Sequence, residues 1–170
     1  ASGGVGTYAV QIAKAFGADV TAVCSTGNVD LARSLGADRV VDYTKEDFTQ
    51  LGVRHDLMID IAGSQRFRRF RRALTPKATV VLVGAKFPSN GGVGPLSHVI
   101  GTLLASLGRS QTVKFFVAKI NAEDLGVLAE LLEAGKVRSV IDRSFELSHA
   151  ADALRYLGEG HARGKVIITM

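Results

Sequence analysis

The sequence predicts an α/β fold organised as a doubly wound parallel sheet, and three observations carry that reading. Apolar strand-like runs alternate with helical patterns along the whole chain, the order expected of a parallel sheet covered on both faces and linked by right-handed crossovers. The chain opens on a glycine-rich turn, Ala1-Ser2-Gly3-Gly4-Val5-Gly6-Thr7, that leads directly into an apolar-periodic stretch from Tyr8 to Phe16. At 170 residues, 46% hydrophobic and 22% charged, the composition suits one globular domain with a substantial core and argues against disorder.

A glycine-rich turn opening into a helix presents unpaired backbone N–H groups and the positive end of the helix dipole, which suits a pyrophosphate. Glycine is needed there because a Cβ would block the approach of phosphates and of the helix to its sheet. The pattern is A-x-G-x-x-G, with Ala1 where the first glycine of the dinucleotide fingerprint would stand. Ala9, Ile12, Ala13 and Phe16 recur at helical spacing and are expected to share one face, and Gly17 stops the helix. The fingerprint should follow a strand, so a central strand is expected upstream and the sequence reads as part of a longer protein. On that expectation the isolated 170-residue chain has no dehydrogenase activity and poor stability, and cooperative unfolding like that of an ordinary domain would overturn it.

The elements then follow in order. Asp19 to Cys24 reads as a buried strand, and Ser25 to Asn28 as its turn, with Asn28 capping a helix from Val29 to Leu35 that ends at Gly36. Arg39 to Tyr43 is a strand, Lys45 to Leu51 a short helix or loop, and His55 to Asp60 an apolar strand. An arginine-rich helix with Phe67, Phe70 and Leu74 on one face leads through a turn at Thr75-Pro76-Lys77 to a strand from Thr79 to Gly84. Lys86 to Pro95 is the most loop-like stretch, and it is followed by a helix from Ser97 to Leu107 and a strand from Thr112 to Val117. Asn121 caps an amphipathic helix with Leu125, Leu128 and Leu132 inward and Gly135 as its stop. Ser139 to Glu146 is extended, Ser148 caps a helix ending at Gly158, and Gly164 to Thr169 is a final strand.

The net charge of +5 permits polyanion binding, and much of the excess sits in Arg66 to Arg72. With its two phenylalanines on one face, that stretch reads as a solvated basic helix, and nucleic acid is not an expected partner. A single cysteine, Cys24, rules out an internal disulfide and fits a reducing, cytoplasmic setting. One Cys and four scattered His do not support a four-ligand structural zinc site. No apolar run approaches the roughly 20 residues of a membrane span.

Six stretches together resemble the coenzyme-binding domain of the medium-chain dehydrogenase/reductase superfamily, nearest its zinc-independent quinone oxidoreductase branch. They are A-S-G-G-V-G-T-Y-A-V-Q-I-A-K at 1–14, L-G-A-D at 35–38, D-Y at 42–43, R-R-A-L-T-P at 71–76, V-V-L-V-G at 80–84 and A-R-G-K-V-I-I-T at 162–169. The resemblance implies a Rossmann-like fold lacking its first strand, with 1–136 as the dinucleotide-binding domain. It implies that 137–170 returns to an N-terminal catalytic domain absent from this sequence.

By the same resemblance Ser2, Gly4 and Val5 contact the pyrophosphate, Gly3 and Gly6 allow its approach, and Ala62, Gly84 and Phe116 line the nicotinamide side. A carboxylate about 20 residues past the fingerprint would accept the ribose hydroxyls of NAD and repel a 2′-phosphate. Here Cys24-Ser25-Thr26 occupy that place as neutral donors, so NADP(H) is favoured over NAD(H), with Ser25 and Tyr43 carrying the contacts the resemblance assigns. Members of the family commonly carry Lys or Arg where Gly27 stands, which removes the strongest phosphate partner at that position. The implied reaction is hydride transfer from the nicotinamide to a small-molecule acceptor, a quinone or an enone, with the cofactor supplying the chemistry. Any protein partner is expected to be a second copy, in a homodimer.

Catalytic residues cannot be assigned from this chain. Cys24 reads as a small core residue, Asp56 and Asp60 as strand-end carboxylates, and His98, His149 and His161 as surface or helix-start residues. Two rival functions stand beside the reductase: a zinc-dependent alcohol dehydrogenase acting on an alcohol or aldehyde, and a non-catalytic nucleotide- or RNA-binding protein resting on the arginine-rich helix.

Overall fold

The computed structural model describes residues 1–62, 67–83, 100–104, 106, 108, 110–115 and 119–170. They form two compact units, one built from Ala1–Glu46 with Ile120–Met170 and the other from Asp47–Lys119. Every strand pair is parallel.

In the first unit the glycine-rich opening is already helical, and α1 spans Gly3–Ala15. Its C-terminus closes as a Schellman turn: Gly17, with φ of +78°, donates to Lys14 O, and Ala18 N–H returns to Ala13 O. The buried stripe is Gly6, Thr7, Val10 and Gln11, a different face from the expected Ala9, Ile12, Ala13 and Phe16, and Phe16 is 71% exposed. Phe16 is the C-cap, where the chain leaves the helix axis, so its side chain projects beyond the packed surface. β1 (Thr21–Cys24) pairs with β2 (Arg39–Asp42) around α2 (Val29–Ser34). Val10, Ala22, Cys24, Ala32 and Leu35 form the core, with Val140 packed against it.

The sequence-distant part of this unit carries two further helices. α4 (Ala122–Glu133) is capped as expected, with Asn121 Oδ1 accepting from Asp124 N–H at 2.8 Å and Gly135 at φ +65°. Its leucines are not inward: Leu125 and Leu132 are exposed and the helix has no buried residue. β6 (Ile141–Glu146) pairs with β7 (Lys165–Thr169) beside α5 (Ala150–Gly158). His149, not Ser148, is the residue before α5, because Leu147–His149 form a 3₁₀ turn that places Ser148 inside a helical turn; Ser148 Oγ meets His149 Nδ1 instead of capping.

The segment 137–170 is tied to α1. Gln11 Nε2 donates to Arg138 O at 3.0 Å while Arg138 N–H donates to Gln11 Oε1 at 2.9 Å. Tyr8 and Ser139 share a hydroxyl–hydroxyl hydrogen bond, and Gly3 N–H donates to Arg163 O at 3.1 Å.

In the second unit β4 (Leu74–Leu82) lies between β3 (His55–Asp60) and β5 (Thr112–Phe115). The arginine-rich stretch is helical over α3 (Phe67–Phe70) and continues as a 3₁₀ turn, Arg71–Ala73. Phe67 and Phe70 meet edge to face at 5.4 Å and, with Leu74, Ala78, Val80 and Leu82, form the core. The turn expected at Thr75-Pro76-Lys77 is an irregularity within β4: His55 pairs with Leu74 and Leu57 with Thr79. Proline has no N–H for the ladder, so it is accommodated where pairing lapses. Cover on both faces was expected for β3, yet Leu57 and Ile59 are 55% and 41% exposed. Residues 100–104 are helical; the expected loop at 86–95 lies outside the described residues.

Candidate coenzyme site

The start of α1 and the carboxyl ends of β1 and β2 meet at one edge. Ala1 donates from its amino group to Val23 O at 2.7 Å, which lays the glycine-rich turn beside the end of β1. Tyr43 N–H donates to Cys24 O at 3.0 Å, which brings the end of β2 alongside.

The turn itself is shaped for close approach. Gly3 has φ of +80°, a conformation that side-chain-bearing residues avoid, and a Cβ on Gly6 would stand 2.7 Å from the carbonyl carbon of Ala1. Helix starts leave N–H groups without intrahelical acceptors, and Ser2, the N-cap, makes no side-chain cap. Of these N–H groups, Gly3's goes to Arg163 O. No acidic residue lies in the first turn. Lys165 Nζ lies 3.2 Å from where a Gly4 Cβ would be, and it also sits 5.6 Å over the Tyr8 ring. A helix N-terminus, glycines and an ammonium group fit a pyrophosphate.

Beyond β1, Ser25, Thr26, Gly27 and Asn28 wrap in a short turn. Only some of the expected neutral donors are available. Thr26 Oγ1 donates to Asp42 Oδ2 at 2.6 Å, so its proton is committed. Asp42, 8% exposed, also accepts from Thr44 Oγ1 and Thr44 N–H, and Lys45 Nζ lies 3.6 Å away. The Thr26 hydroxyl, helped by Thr44 and Lys45, lowers its pKa to about 2. Asn28 Nδ2 donates to Ser25 Oγ at 3.0 Å, and Asn28 Oδ1 is buried without a partner in the structure. Tyr43 is 62% exposed. The guanidinium of Arg163 stands over Gly27, with Nη2 3.4 Å from where a Cβ would be.

The structure therefore brings together Ser2, Gly3, Gly4, Val5, Gly6, Ser25 and Tyr43, all in the first unit. Ala62 follows β3 in the second unit, whereas Gly84 and Phe116 lie outside the described residues. Sequence reading missed Asp42, Arg163 and Lys165 at this edge. Asp42 is opposite Cys24 in the β1–β2 register, and the two basic residues arrive from the far end of the chain.

The remaining candidates are accounted for structurally. Cys24 is 2% exposed, and burial pushes its thiol up, so it stays protonated at neutral pH. Asp56 accepts from Thr75 Oγ1 at 2.8 Å, and His149 and His161 are exposed. His98 lies outside the described residues. Among the described residues no three His, Cys, Asp or Glu side chains cluster as metal ligands. No described helix is long and apolar enough to cross a membrane.

Parallel strands with a glycine-rich helix start at their carboxyl edge define a Rossmann-like coenzyme-binding domain. A family model described as zinc-binding dehydrogenase matches residues 35–168, and the chain belongs to that family, within the medium-chain dehydrogenase/reductase superfamily. It is 36% identical over 172 residues to the chloroplastic quinone oxidoreductase QR1 of Triphysaria versicolor, covering 99% of this chain and 50% of that protein. It is 33% identical over 183 residues to the mitochondrial NAD(P)H oxidoreductase RTN4IP1 of Mus musculus, covering all of this chain and 46% of that protein. The fold matches the quinone oxidoreductase of Coxiella burnetii with a TM-score of 0.80 at 27% identity, over 99% of this chain and 50% of that one. The chain thus spans about half the length of the relatives it matches.

Proposed function

We propose that this chain is the coenzyme-binding part of an NADP(H)-dependent oxidoreductase that reduces a quinone or an enone. The observation that carries the reading is the glycine-rich start of α1, held at the carboxyl edge of β1 and β2 in a chain whose relatives are named oxidoreductases. Ser2, Gly4 and Val5, with Lys165 beside them, would hold the pyrophosphate, and Gly3 and Gly6 would admit it. Ser25 and Tyr43 would face the adenosine ribose, while Ala62, Gly84 and Phe116 would line the nicotinamide side. The bound nicotinamide would supply a hydride, and the chain's own share is to orient that group and exclude water from it.

NADP(H) is preferred because the end of β1 carries no carboxylate and Asp42 is already engaged by two threonines and Lys45. A reducing, cytoplasmic setting and a homodimer belong to the same proposal, the former supported by the single buried cysteine.

The test is oxidation of NADPH by a small quinone, using the full-length protein after exhaustive removal of metals. Turnover is the expected result. Its absence, with alcohol oxidation restored by added zinc, would overturn the reading in favour of a zinc-dependent alcohol dehydrogenase.

A further inference from the structure

We infer that Arg163 is the cation that reads a 2′-phosphate on the adenosine ribose, reaching the turn after β1 from the opposite end of the chain; this rests on the NADP(H) reading above. A residue lacking a side chain, Gly27, forms the floor, and the Arg163 guanidinium lies over it with Nη2 3.4 Å from the missing Cβ position.

Three further observations converge there. The Arg163 backbone is pinned on both sides, because its N–H donates to Asp142 Oδ2 at 3.0 Å and its carbonyl accepts from Gly3 N–H at 3.1 Å. Its guanidinium, by contrast, makes no ion pair and no side-chain hydrogen bond among the described residues. Ser25 Oγ in the same turn accepts from Asn28 Nδ2 at 3.0 Å, so its own hydroxyl proton remains to donate to a phosphate.

The nearby carboxylates form no ion pair with this guanidinium, although Asp142 feels its charge together with that of Arg143. Asp42 is engaged by Thr26, Thr44 and Lys45. Asp142 takes the Tyr156 hydroxyl at 2.6 Å together with the Arg163 N–H. A guanidinium suits a phosphate because its planar fork donates two parallel hydrogen bonds.

The placement also gives the side chain a selective role. Lys165, beside Gly4, lies toward the pyrophosphate end of the edge, whereas Arg163, beside Gly27, lies toward the ribose end. Only the second position distinguishes the two nicotinamide coenzymes.

The experiment is calorimetric binding of NADPH, NADH, adenosine 2′,5′-bisphosphate and adenosine 5′-monophosphate to full-length protein and to Arg163→Gln. The variant should weaken the two ligands that carry a 2′-phosphate by roughly ten- to a hundredfold and leave the other two unchanged. Adding Gly27→Lys to Arg163→Gln should restore most of the lost affinity, because the trimmed side chain leaves room for a new one at residue 27.

Equal weakening of all four ligands would show a structural role and overturn the inference, as would an unchanged NADPH to NADH ratio in the variant. Those results leave the coenzyme reading standing, provided the wild-type protein prefers the 2′-phosphate. A wild-type protein that binds NADH and adenosine 5′-monophosphate as tightly as their 2′-phosphorylated counterparts would overturn both.

Discussion

Asp42 illustrates how one side chain can limit the chemistry around it. Its carboxylate receives the hydroxyls of Thr26 and Thr44 and the N–H of Thr44, so two residues at the coenzyme edge are oriented by a charge that does not itself face outward. The pKa lies near 2 in the folded state against about 3.9 in an unfolded chain. A depressed carboxylate pKa stabilises the fold above the unfolded value and loses that contribution as pH falls through the folded one. Urea midpoints should therefore hold steady from pH 7 to about pH 4 and fall toward pH 2. Asp42→Asn should be less stable at neutral pH and show a shallower decline over that interval. An identical pH profile for the two proteins would show that Asp42 is not linked to stability. The glycine-rich turn was legible as a contiguous motif, and Ser25 and Tyr43, named through the family resemblance, lie at the ends of the strands beside it. Arg163 and Lys165 were not legible, since only folding brings them to it.

Among the elements, the strands were the easiest to read. His55–Asp60 was found at its exact bounds, and β1, β2, β6 and β7 within a residue or two, because apolar runs between turn residues leave few alternatives. Helix faces were read less well. α3 did bury Phe67 and Phe70, where two bulky rings fix the face. α4 did not bury Leu125 or Leu132, because periodicity reveals an apolar face without saying what covers it. With no buried residue, α4 depends on its termini, and Asn121→Ala should cost about 1 kcal/mol of local stability. Amide exchange should accelerate in the first turn of that helix while β1 and β2 remain unchanged; no change in α4 would show the cap to be redundant.

The whole molecule has a unit that is discontinuous in sequence, with residues 1–46 completed by 120–170. Gly164 is a test of that completion. A Cβ there would stand 2.3 Å from Val140 O, so Gly164→Ala must shift the backbone that precedes β7. It should lower stability by about 1–3 kcal/mol, read from urea unfolding, and it should speed amide exchange around Gln11 and Arg138. Unfolding indistinguishable from the parent would mean that the backbone there yields cheaply.

The bonds from Gln11 to Arg138 and from Gly3 to Arg163 also place a condition on synthesis. A ribosome adds about 5–20 residues per second, so α1 waits roughly 8–30 s after its own translation before the residues that secure it have been made. During that interval the glycine-rich turn lacks its closing contacts, and a nascent chain reaches its coenzyme-ready form only once residues 138 to 163 have been made. Codon usage over the stretch between α1 and residue 163, rather than around the glycines, would then set how long the helix stays unprotected in the cell.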